Sequence, residues 1–280
     1  MTKNKLSWAA LLIGATFLSA YGKDEIINNY YAAPEEPKGS ALGFVTLMDE
    51  FGRMSRRNDG ARVTVKGSSP LIEAISDTNG RYQLDGLRAG NYVLTYERPG
   101  YGAYEQEFML AAAGGNQPVL ITTPGPYGPI TRQVLAQQAT TVVSNLQVTT
   151  NPAPFFSNDP VVTIDGLVSP ATTDTRPRTV AIAFDTVAHV SKDNLLIGYL
   201  ATPSDYSIIN NQLHFVLTQG QLEQIRQYYN LFLPGQRLYV RAYGAPSGQL
   251  SGFLSRDTGL YIWSSMNPQA SNRVDFVVPN

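Results

Sequence analysis

Residues that could carry acid–base or metal chemistry are few in this chain. Its 280 residues include two histidines, His189 and His214, and no cysteine. Each histidine alternates with apolar neighbours, which is typical of a strand face, and the two do not have the spacing of a metal-ligand pair. No aspartate close in sequence completes a Ser-His-Asp triad, and neither a Gly-x-Ser-x-Gly motif nor a Gly-rich phosphate loop is present. The sequence therefore predicts no catalytic residue of these kinds, no disulfide, no metal and no cofactor.

Two acidic positions could support other chemistry. The run from Asp77 to Gly80 resembles part of a calcium loop, but it lacks the third oxygen ligand and the distal bidentate glutamate, and turn chemistry explains it. Asp257 lies close in sequence to Tyr261 and Trp263, where a second carboxylate could complete a glycosidase-like pair. A hydrolase with an unrecognised acidic pair therefore stays as an alternative, although we expect no enzyme activity.

Aromatic side chains are the better candidates for a binding surface. Aromatic rings stack on sugar faces and contribute strongly to protein interfaces. Most tyrosines of a β-protein are instead core or strand-pair residues, so only those near turns or strand ends stand out. The predicted ligand-binding residues are Tyr101, Tyr104, Tyr261 and Trp263.

The elements that would position these residues are short strands between glycine-bearing turns. The run from Asp77 to Gly80 has side chains that bond nearby backbone N–H groups and residues that tolerate positive φ. Polar and apolar residues then alternate over 81–84, and Tyr92, Leu94 and Tyr96 share one strand face. Two strands enclosed by such turns predict antiparallel β structure.

This stretch closely resembles the carboxypeptidase regulatory-like family of transthyretin-like β-sandwiches. The family pattern, roughly "sDxnGrYxlxgLxaGxYxLxxxxpGY", is met at eleven positions: Asp77, Asn79, Gly80, Tyr82, Leu84, Leu87, Gly90, Tyr92, Leu94, Gly100 and Tyr101. Segments 42–52 and 60–67 resemble its first two strands. The resemblance covers residues 40–124 and implies an accessory module of secreted or envelope proteins, with no catalytic residues to carry over.

The second half of the chain also predicts a sandwich. Eight candidate strands lie between residues 140 and 280, and the run from Leu238 to Tyr243 resembles a strand of fibronectin type III and immunoglobulin-like domains. One short helix is expected near 218–230, because Thr218 and Gln221 have the spacing of a capping box and apolar residues follow at helical spacing. Residues 125–139 predict a Pro/Gly linker, with a short helix over 131–139.

The N-terminus has the order of charge, apolar run and small residues that is typical of a secretory signal, assigned to residues 1–20. Residues 18–25 resemble a bacterial lipoprotein signal, but Tyr21 stands where that signal has the cysteine that takes the lipid. Either the signal is cleaved after Ala20, or it stays as a membrane anchor, or Tyr21 replaces an ancestral cysteine. Residues 21–39 predict a polar tether.

The amino-acid composition limits which functional classes of protein remain possible. Hydrophobic residues make up 43% of the chain and charged residues 15%, which is typical of a globular protein, and the formal net charge of −1 gives no electrostatic argument for nucleic acid or an anionic membrane.

The sequence thus predicts an all-β exported protein, in the periplasm, on the outer membrane or outside the cell, made of two tandem β-sandwiches. We expect a non-enzymatic binding, scaffold or adhesion module whose partner is a protein or glycan. An accessory glycan-binding protein of a polysaccharide-uptake system is the alternative.

Overall fold

The computed structural model describes residues 37–111, 117–122, 132–151, 156–193, 197–247, 252–257 and 259–279. Residues Pro37–Asn280 form one compact unit. The predicted signal peptide, Tyr21 and most of the predicted tether lie outside the described residues. Among the described residues, no helix has the length and apolar character that a bilayer span requires.

Two four-stranded sheets form the first sandwich. In one sheet, β1 lies between β4 and two parallel neighbours, β7 and β8, while the other sheet has the order β3-β2-β5-β6. The buried faces of both sheets form one apolar core. The strands are β1 (Gly39–Met48), β2 (Arg62–Val65), β3 (Glu73–Ile75), β4 (Arg81–Leu87), β5 (Gly90–Glu97), β6 (Tyr104–Leu110), β7 (Val119–Leu120) and β8 (Arg132–Ala136).

The turn before β4 shows why the local sequence folds in this way. Asp77 Oδ1 accepts hydrogen bonds from the backbone N–H groups of Asn79 and Arg81, each at 2.9 Å. Gly80 has φ +80°, and a Cβ there would lie 1.9 Å from the Val45 carbonyl oxygen, so only glycine fits. Along β4, buried Tyr82 and Leu84 alternate with exposed residues, as the polar–apolar pattern predicts.

The second sandwich also has two four-stranded sheets, in the orders β9-β10-β14-β13 and β12-β11-β15-β18. If the strands are lettered along the chain, these sheets read A-B-E-D and C′-C-F-G, which is the arrangement of an immunoglobulin-like sandwich. A two-stranded hairpin, β16–β17, precedes the last strand. The strands are β9 (Val142–Thr150), β10 (Pro160–Ser169), β11 (Thr179–Asp185), β12 (Ile197–Ala201), β13 (Ile208–Ile209), β14 (Gln212–Thr218), β15 (Arg237–Ala245), β16 (Phe253–Leu254), β17 (Tyr261–Ile262) and β18 (Val274–Val277).

Strand β11 is the most deeply buried strand of this sandwich, with all seven residues buried. Its Val180, Ile182 and Phe184 belong to the main core between the sheets, whereas Ala181 and Ala183 pack in a smaller cluster with Met266. The segment after β17 therefore covers the outer face of β11, which explains why this strand is apolar on both sides.

The expected all-β fold with two β-sandwiches is confirmed, including the fibronectin-like run, which is β15. The helix expected near 218–230 is α1 (Gln219–Tyr229). It begins with the predicted capping box, in which Thr218 Oγ1 accepts from Gln221 N at 3.3 Å and Gln221 Oε1 accepts from Thr218 N at 2.9 Å.

The prediction of a short helix over 131–139 is wrong. Residues Arg132–Ala136 form β8, which pairs in parallel with β1 from Phe44 to Met48. Leu135 and Ala136 are completely buried there, so tertiary burial outweighs the helical preference of Gln, Leu and Ala. The C-terminal part of the predicted linker thus forms a strand of the first sandwich. Residues 123–131 lie outside the described residues.

Candidate functional site

Strand register determines which loops of the second sandwich lie together. Strand β14 is antiparallel to β10, so its first residue, Gln212, pairs with Leu167 near the end of β10. The last residue of β15, Ala245, pairs with Thr179 at the start of β11. The segments after β10, β12, β13 and β15 therefore meet at one end of the sandwich, which we call the loop end. In variable immunoglobulin domains the corresponding end carries the binding loops.

Helix α1 lies at the opposite end. It follows Thr218, which pairs with Pro160 at the start of β10. The N–H groups of Gln219 and Gly220 donate to the carbonyls of Asp159 and Ser157 in the segment before β10.

A cleft of about 850 Å³ opens at the loop end. Its volume falls in the range of about 300–1,000 Å³ that is usual for small-molecule sites. Eight of its eleven lining residues carry a hydroxyl or amide group. The lining residues are Thr172, Thr173, Asp174, Pro177, Thr179, Thr202, Pro203, Ser204, Asn210, Asn211 and Ser247. We call this feature the loop-end cleft.

Hydrogen bonds between the loops hold the walls of the loop-end cleft in place. Asn211 Oδ1 accepts from the Thr172 backbone N–H at 2.8 Å, which joins the turn after β13 to the segment after β10. The hydroxyls of Thr179 and Ser247 lie 2.9 Å apart. Asp205 accepts from the backbone N–H groups of Thr202 and Ser207 and so shapes the third wall. The cleft is therefore built from loops that are fixed to one another.

The first sandwich holds the same loops from outside. The Ser247 N–H donates to the Glu50 carbonyl at 2.8 Å. The guanidinium of Arg53 donates to the Thr175 carbonyl at 2.6 Å. The turn between β1 and β2 thus supports two walls of the cleft, and the cleft lies beside the contact between the sandwiches, where binding sites are common.

A buried polar network lies at this contact. Glu50 and Arg178 form an ion pair at 3.3 Å, and both side chains are buried. The Glu50 carboxylate also accepts from the Thr140 backbone N–H at 2.6 Å and from its hydroxyl at 2.8 Å. The ring of Phe51 lies 5.0 Å from the Arg178 guanidinium carbon. Because the carboxylate has three partners, its burial is compensated.

Three of the four predicted aromatic residues come together, at a second contact between the sandwiches. The Tyr261 and Trp263 rings are 4.6 Å apart and tilted by 53°. Tyr104 packs against the core of the first sandwich and lies close enough to Tyr261 for that phenol to raise its pKa, although burial is the larger cause. Ser264 donates to the Ala103 carbonyl beside them. The tilt disfavours a flat sugar platform, and only Tyr261 is largely exposed, at 46%.

Tyr101 lies in a separate groove of about 560 Å³ on the first sandwich. The Arg98 guanidinium carbon is 5.1 Å from the centre of its ring. Its backbone pairs with Gln137, just after β8. The groove also includes Arg62, Ile75 and Glu97. Tyr101 as a ligand-binding residue therefore stays a prediction, at a site distinct from the other three.

The other chemical candidates have structural partners. Asp257 pairs with Lys66 at 2.7 Å, and Lys66 also contacts Glu105 at 2.9 Å. His214 Nδ1 lies 2.8 Å from Asp165 on an exposed sheet face. Within the described ranges, no group of three His, Cys, Asp or Glu side chains could hold a metal ion.

Sequence reasoning missed the loop-end cleft. Its residues are ordinary loop residues, and threonine, serine and asparagine at turns are explained by backbone capping alone. The cluster of polar residues from Thr172 to Thr175 was a visible signal, but only the register of the strands brings it beside Thr202 and Asn211.

Solved structures show distant similarity. A DUF3823 family protein of Parabacteroides merdae is 13% identical, covers 84% of this chain and 100% of its own, and has a TM-score of 0.26. A Bacteroides uniformis protein assigned provisionally to carbohydrate binding is 12% identical, with 86% and 99% coverage and a TM-score of 0.29. The major pilin subunit of Bacillus cereus, BcpA, is 11% identical, with 87% and 69% coverage and a TM-score of 0.27. At these values, no activity or ligand carries over.

No curated protein matches the sequence. The family model of the carboxypeptidase regulatory-like domain matches residues 55–124, which contain β2 to β7 of the first sandwich. The resemblance stated for residues 40–124 is thereby confirmed in this segment. Residues 55–124 of the chain are a carboxypeptidase regulatory-like domain.

Proposed function

We propose that this chain is a non-enzymatic binding module of the bacterial cell envelope or the secreted fraction, and that it engages its partner through the loop-end cleft. The observation that carries this proposal is the position of the cleft, at the end of an immunoglobulin-like sandwich where four connecting segments meet. Export is supported by the pattern of charge, apolar run and small residues in residues 1–20.

Preorganisation supports a binding or scaffold function. The cleft walls are hydrogen-bonded to one another, and two of them are bonded to the first sandwich through Glu50 and Arg53. A site with fixed loops loses less conformational entropy when it binds, so more of the contact energy appears as affinity. The first sandwich then acts as an accessory domain that fixes the binding end of the second.

The hydrolase alternative has less support. Its proposed acid, Asp257, forms an ion pair with Lys66. The Asp257 carboxylate therefore already has a structural partner across the contact between the sandwiches.

A photo-crosslinking experiment in the producing bacterium tests the proposal. Benzoylphenylalanine would replace Asp174, which is an exposed residue of the cleft wall, and Gln227, which is exposed on α1 at the opposite end, would be replaced as the control. We expect a discrete adduct from position 174 and none from position 227. Equal labelling from both positions would contradict binding at the loop end, and so would the absence of any adduct from a chain that also binds no sugar.

Export is tested separately. Fractionation should place the chain outside the cytoplasm, and a palmitate analogue should not label it, because Tyr21 has no sulfur to carry a thioether-linked lipid. Recovery of the chain in the cytoplasm would contradict the envelope assignment.

The second candidate is an accessory glycan-binding protein of a polysaccharide-uptake system. It is favoured by the hydroxyl and amide lining of the loop-end cleft, whose groups match the donors and acceptors of sugars.

A further inference from the structure

We infer that the loop-end cleft binds a neutral carbohydrate, with Tyr206 at its rim as the stacking residue. This inference rests on the proposed function and names the ligand class for the same site. Three observations carry it: the chemistry of the walls, their charge, and the exposed ring of Tyr206 next to the lining residues Pro203 and Ser204.

The walls offer hydrogen-bonding groups in an arrangement suited to a ligand that is itself rich in hydroxyls. Hydroxyl side chains both donate and accept, and asparagine amides supply two donors and an acceptor. The lining has two prolines, Pro177 and Pro203, and one carboxylate, Asp174. Two of the other lining residues, Asn210 and Asn211, carry amides, and six carry hydroxyls: Thr172, Thr173, Thr179, Thr202, Ser204 and Ser247.

The charge of the walls favours a neutral ligand. Among the described residues that line the cleft, Asp174 is the charged one, and none is a lysine, arginine or histidine. Phosphate, sulfate and uronate groups are held in proteins by cations or by bidentate guanidinium groups, which these walls do not supply. A carboxylate does accept hydrogen bonds from sugar hydroxyls, so Asp174 can orient a neutral sugar while it repels an anionic one.

The walls fit a sugar better than a protein partner. Tight protein interfaces depend on buried aromatic, arginine or large aliphatic anchors in apolar pockets. Pro177 and Pro203 are the apolar residues among the described residues that line this cleft, and neither is an aromatic or large aliphatic anchor. The nearby aromatic ring of Phe51 is instead packed against Arg178 at the contact between the sandwiches.

Tyr206 provides the aromatic ring that the walls lack. It ends the short 3₁₀ helix Pro203–Asp205, which includes two lining residues, and its side chain is 76% exposed. Its backbone has φ +61°, in the left-handed region that bulky residues rarely adopt. The Tyr206 N–H donates to the Pro203 carbonyl, so the end of the 3₁₀ helix holds this residue in place beside the lining residues Pro203 and Ser204. An exposed tyrosine held in this conformation beside a polar cleft is suited to stacking on a sugar ring.

Saturation-transfer NMR on the full chain tests the inference, because it detects weak binding. The probes are short neutral oligosaccharides of glucose, mannose, xylose and galactose, with a sulfated galactan fragment as the charged comparison. A few hydrogen bonds and one stacked ring imply a Kd on the order of 0.1–1 mM. We expect saturation of at least one neutral probe and none of the sulfated one.

Two variants locate the site. Tyr206→Ala removes the ring and Asp174→Asn removes the charge, and each should weaken binding about fivefold or more. Tyr228→Ala is the matched control, because Tyr228 is 73% exposed on α1 at the opposite end, and it should bind like the parent chain. Thermal melting of all three variants should show that each is folded.

The outcomes separate this inference from the proposed function. If no sugar is saturated but the cross-linker at position 174 still gives a protein adduct, the carbohydrate inference is overturned and the binding function stands. If neither experiment gives a signal, both fail. If a sugar binds equally to the parent chain and to the Tyr206→Ala and Asp174→Asn variants, its site lies elsewhere and the inference is overturned.

Discussion

Arg178 in the second sandwich donates a hydrogen bond to Glu50 in the first, at 3.3 Å, with only 6% and 10% of the two side chains exposed. The same guanidinium nitrogen contacts the Thr140 hydroxyl at 3.1 Å. Three segments far apart in the sequence therefore share one buried polar network. The stability of a buried ion pair depends on its geometry, so we expect this network to favour one arrangement of the two sandwiches.

Replacing Glu50 with Ala should be strongly destabilising. The change leaves the Arg178 guanidinium buried without its carboxylate, and we expect a loss of about 3–5 kcal/mol in the free energy of unfolding. Urea denaturation measures it. Arg237→Ala, at an exposed ion pair with Asp275, is the control and should cost less than about 1 kcal/mol.

A double variant separates the effect of this network on the arrangement of the two sandwiches from its effect on stability. Glu50→Leu with Arg178→Met removes both charges, so it should recover much of the stability that Glu50→Ala loses. If the network mainly fixes the geometry, small-angle scattering of the double variant should show altered dimensions at restored stability. A Glu50→Ala variant as stable as the parent would contradict the importance of this ion pair.

Gly244 should not tolerate a side chain. A Cβ at this position in β15 would lie 1.9 Å from the Thr141 carbonyl oxygen. Because backbone atoms must move to relieve the clash, Gly244→Ala should cost about 3 kcal/mol or more, measured as a shift in the urea midpoint. Gly235→Ala is the comparison: it has φ +77° but no atom within 4 Å, so only the backbone conformation is strained, at about 1–2 kcal/mol.

The first sandwich should lose stability in alkali. Burial raises the pKa of Tyr82 and of Tyr96 well above 10, and their hydroxyls lie 2.7 Å apart. Below pH 10 both phenols are protonated in the folded and unfolded chains. Above it the unfolded chain releases these protons first, so the free energy of unfolding falls as pH rises, by up to about 1.4 kcal/mol per pH unit for each tyrosine.

Tyr82→Phe tests this expectation. Denaturation between about pH 8 and pH 11 should show a smaller slope than the parent chain, because one phenol with a raised pKa is gone. At neutral pH the variant should be less stable by about 1 kcal/mol, since the hydrogen bond to Tyr96 is lost while Tyr96 still donates to Gln106. An unchanged alkaline slope would show that Tyr82 does not contribute to it.

The hairpin β16–β17 should separate from the first sandwich at high salt. Lys66 bonds both Asp257 in the hairpin and Glu105 in β6, and hydrogen bonding to Asp257 is the main cause that raises the pKa of Lys66. Partly exposed ion pairs are screened by salt. Lys66→Met and added NaCl should each increase hydrogen exchange over residues 252–262. Lys192→Met, which removes a pair with Asp193, should leave that exchange unchanged.

Strand positions were largely predictable because one face of most strands is buried. The alternation of polar and apolar residues around Tyr82 and Leu84 follows directly from that burial. The start of α1 was predictable because the capping box involves only residues close together in the sequence. The strand β8 was not predictable in this way. Its helix-forming residues become a strand only because β1 offers an unpaired edge, and that fact is not contained in residues 132–136.

The candidate site was harder to predict for a related reason. The cleft is made by side chains that are common in any loop, and their proximity depends on the pairing of β10 with β14 and of β11 with β15. The aromatic residues were conspicuous in the sequence, yet Tyr104 and Trp263 pack largely at the contact between the sandwiches. Residue type alone does not distinguish a binding ring from a packing ring.

The parallel pairing of β1 with β8 has a practical consequence for protein engineering. The family match at residues 55–124 excludes both of these strands, although β1 is central in its sheet. A fragment cut at the ends of the match would expose the edge of β4 and would lose Ala41, Val45, Leu47 and Leu135 from the hydrophobic core, so it should aggregate. The smallest piece that could be grafted onto another protein therefore extends from Pro37 through Gln138, whose N–H closes the sandwich on the Gly100 carbonyl.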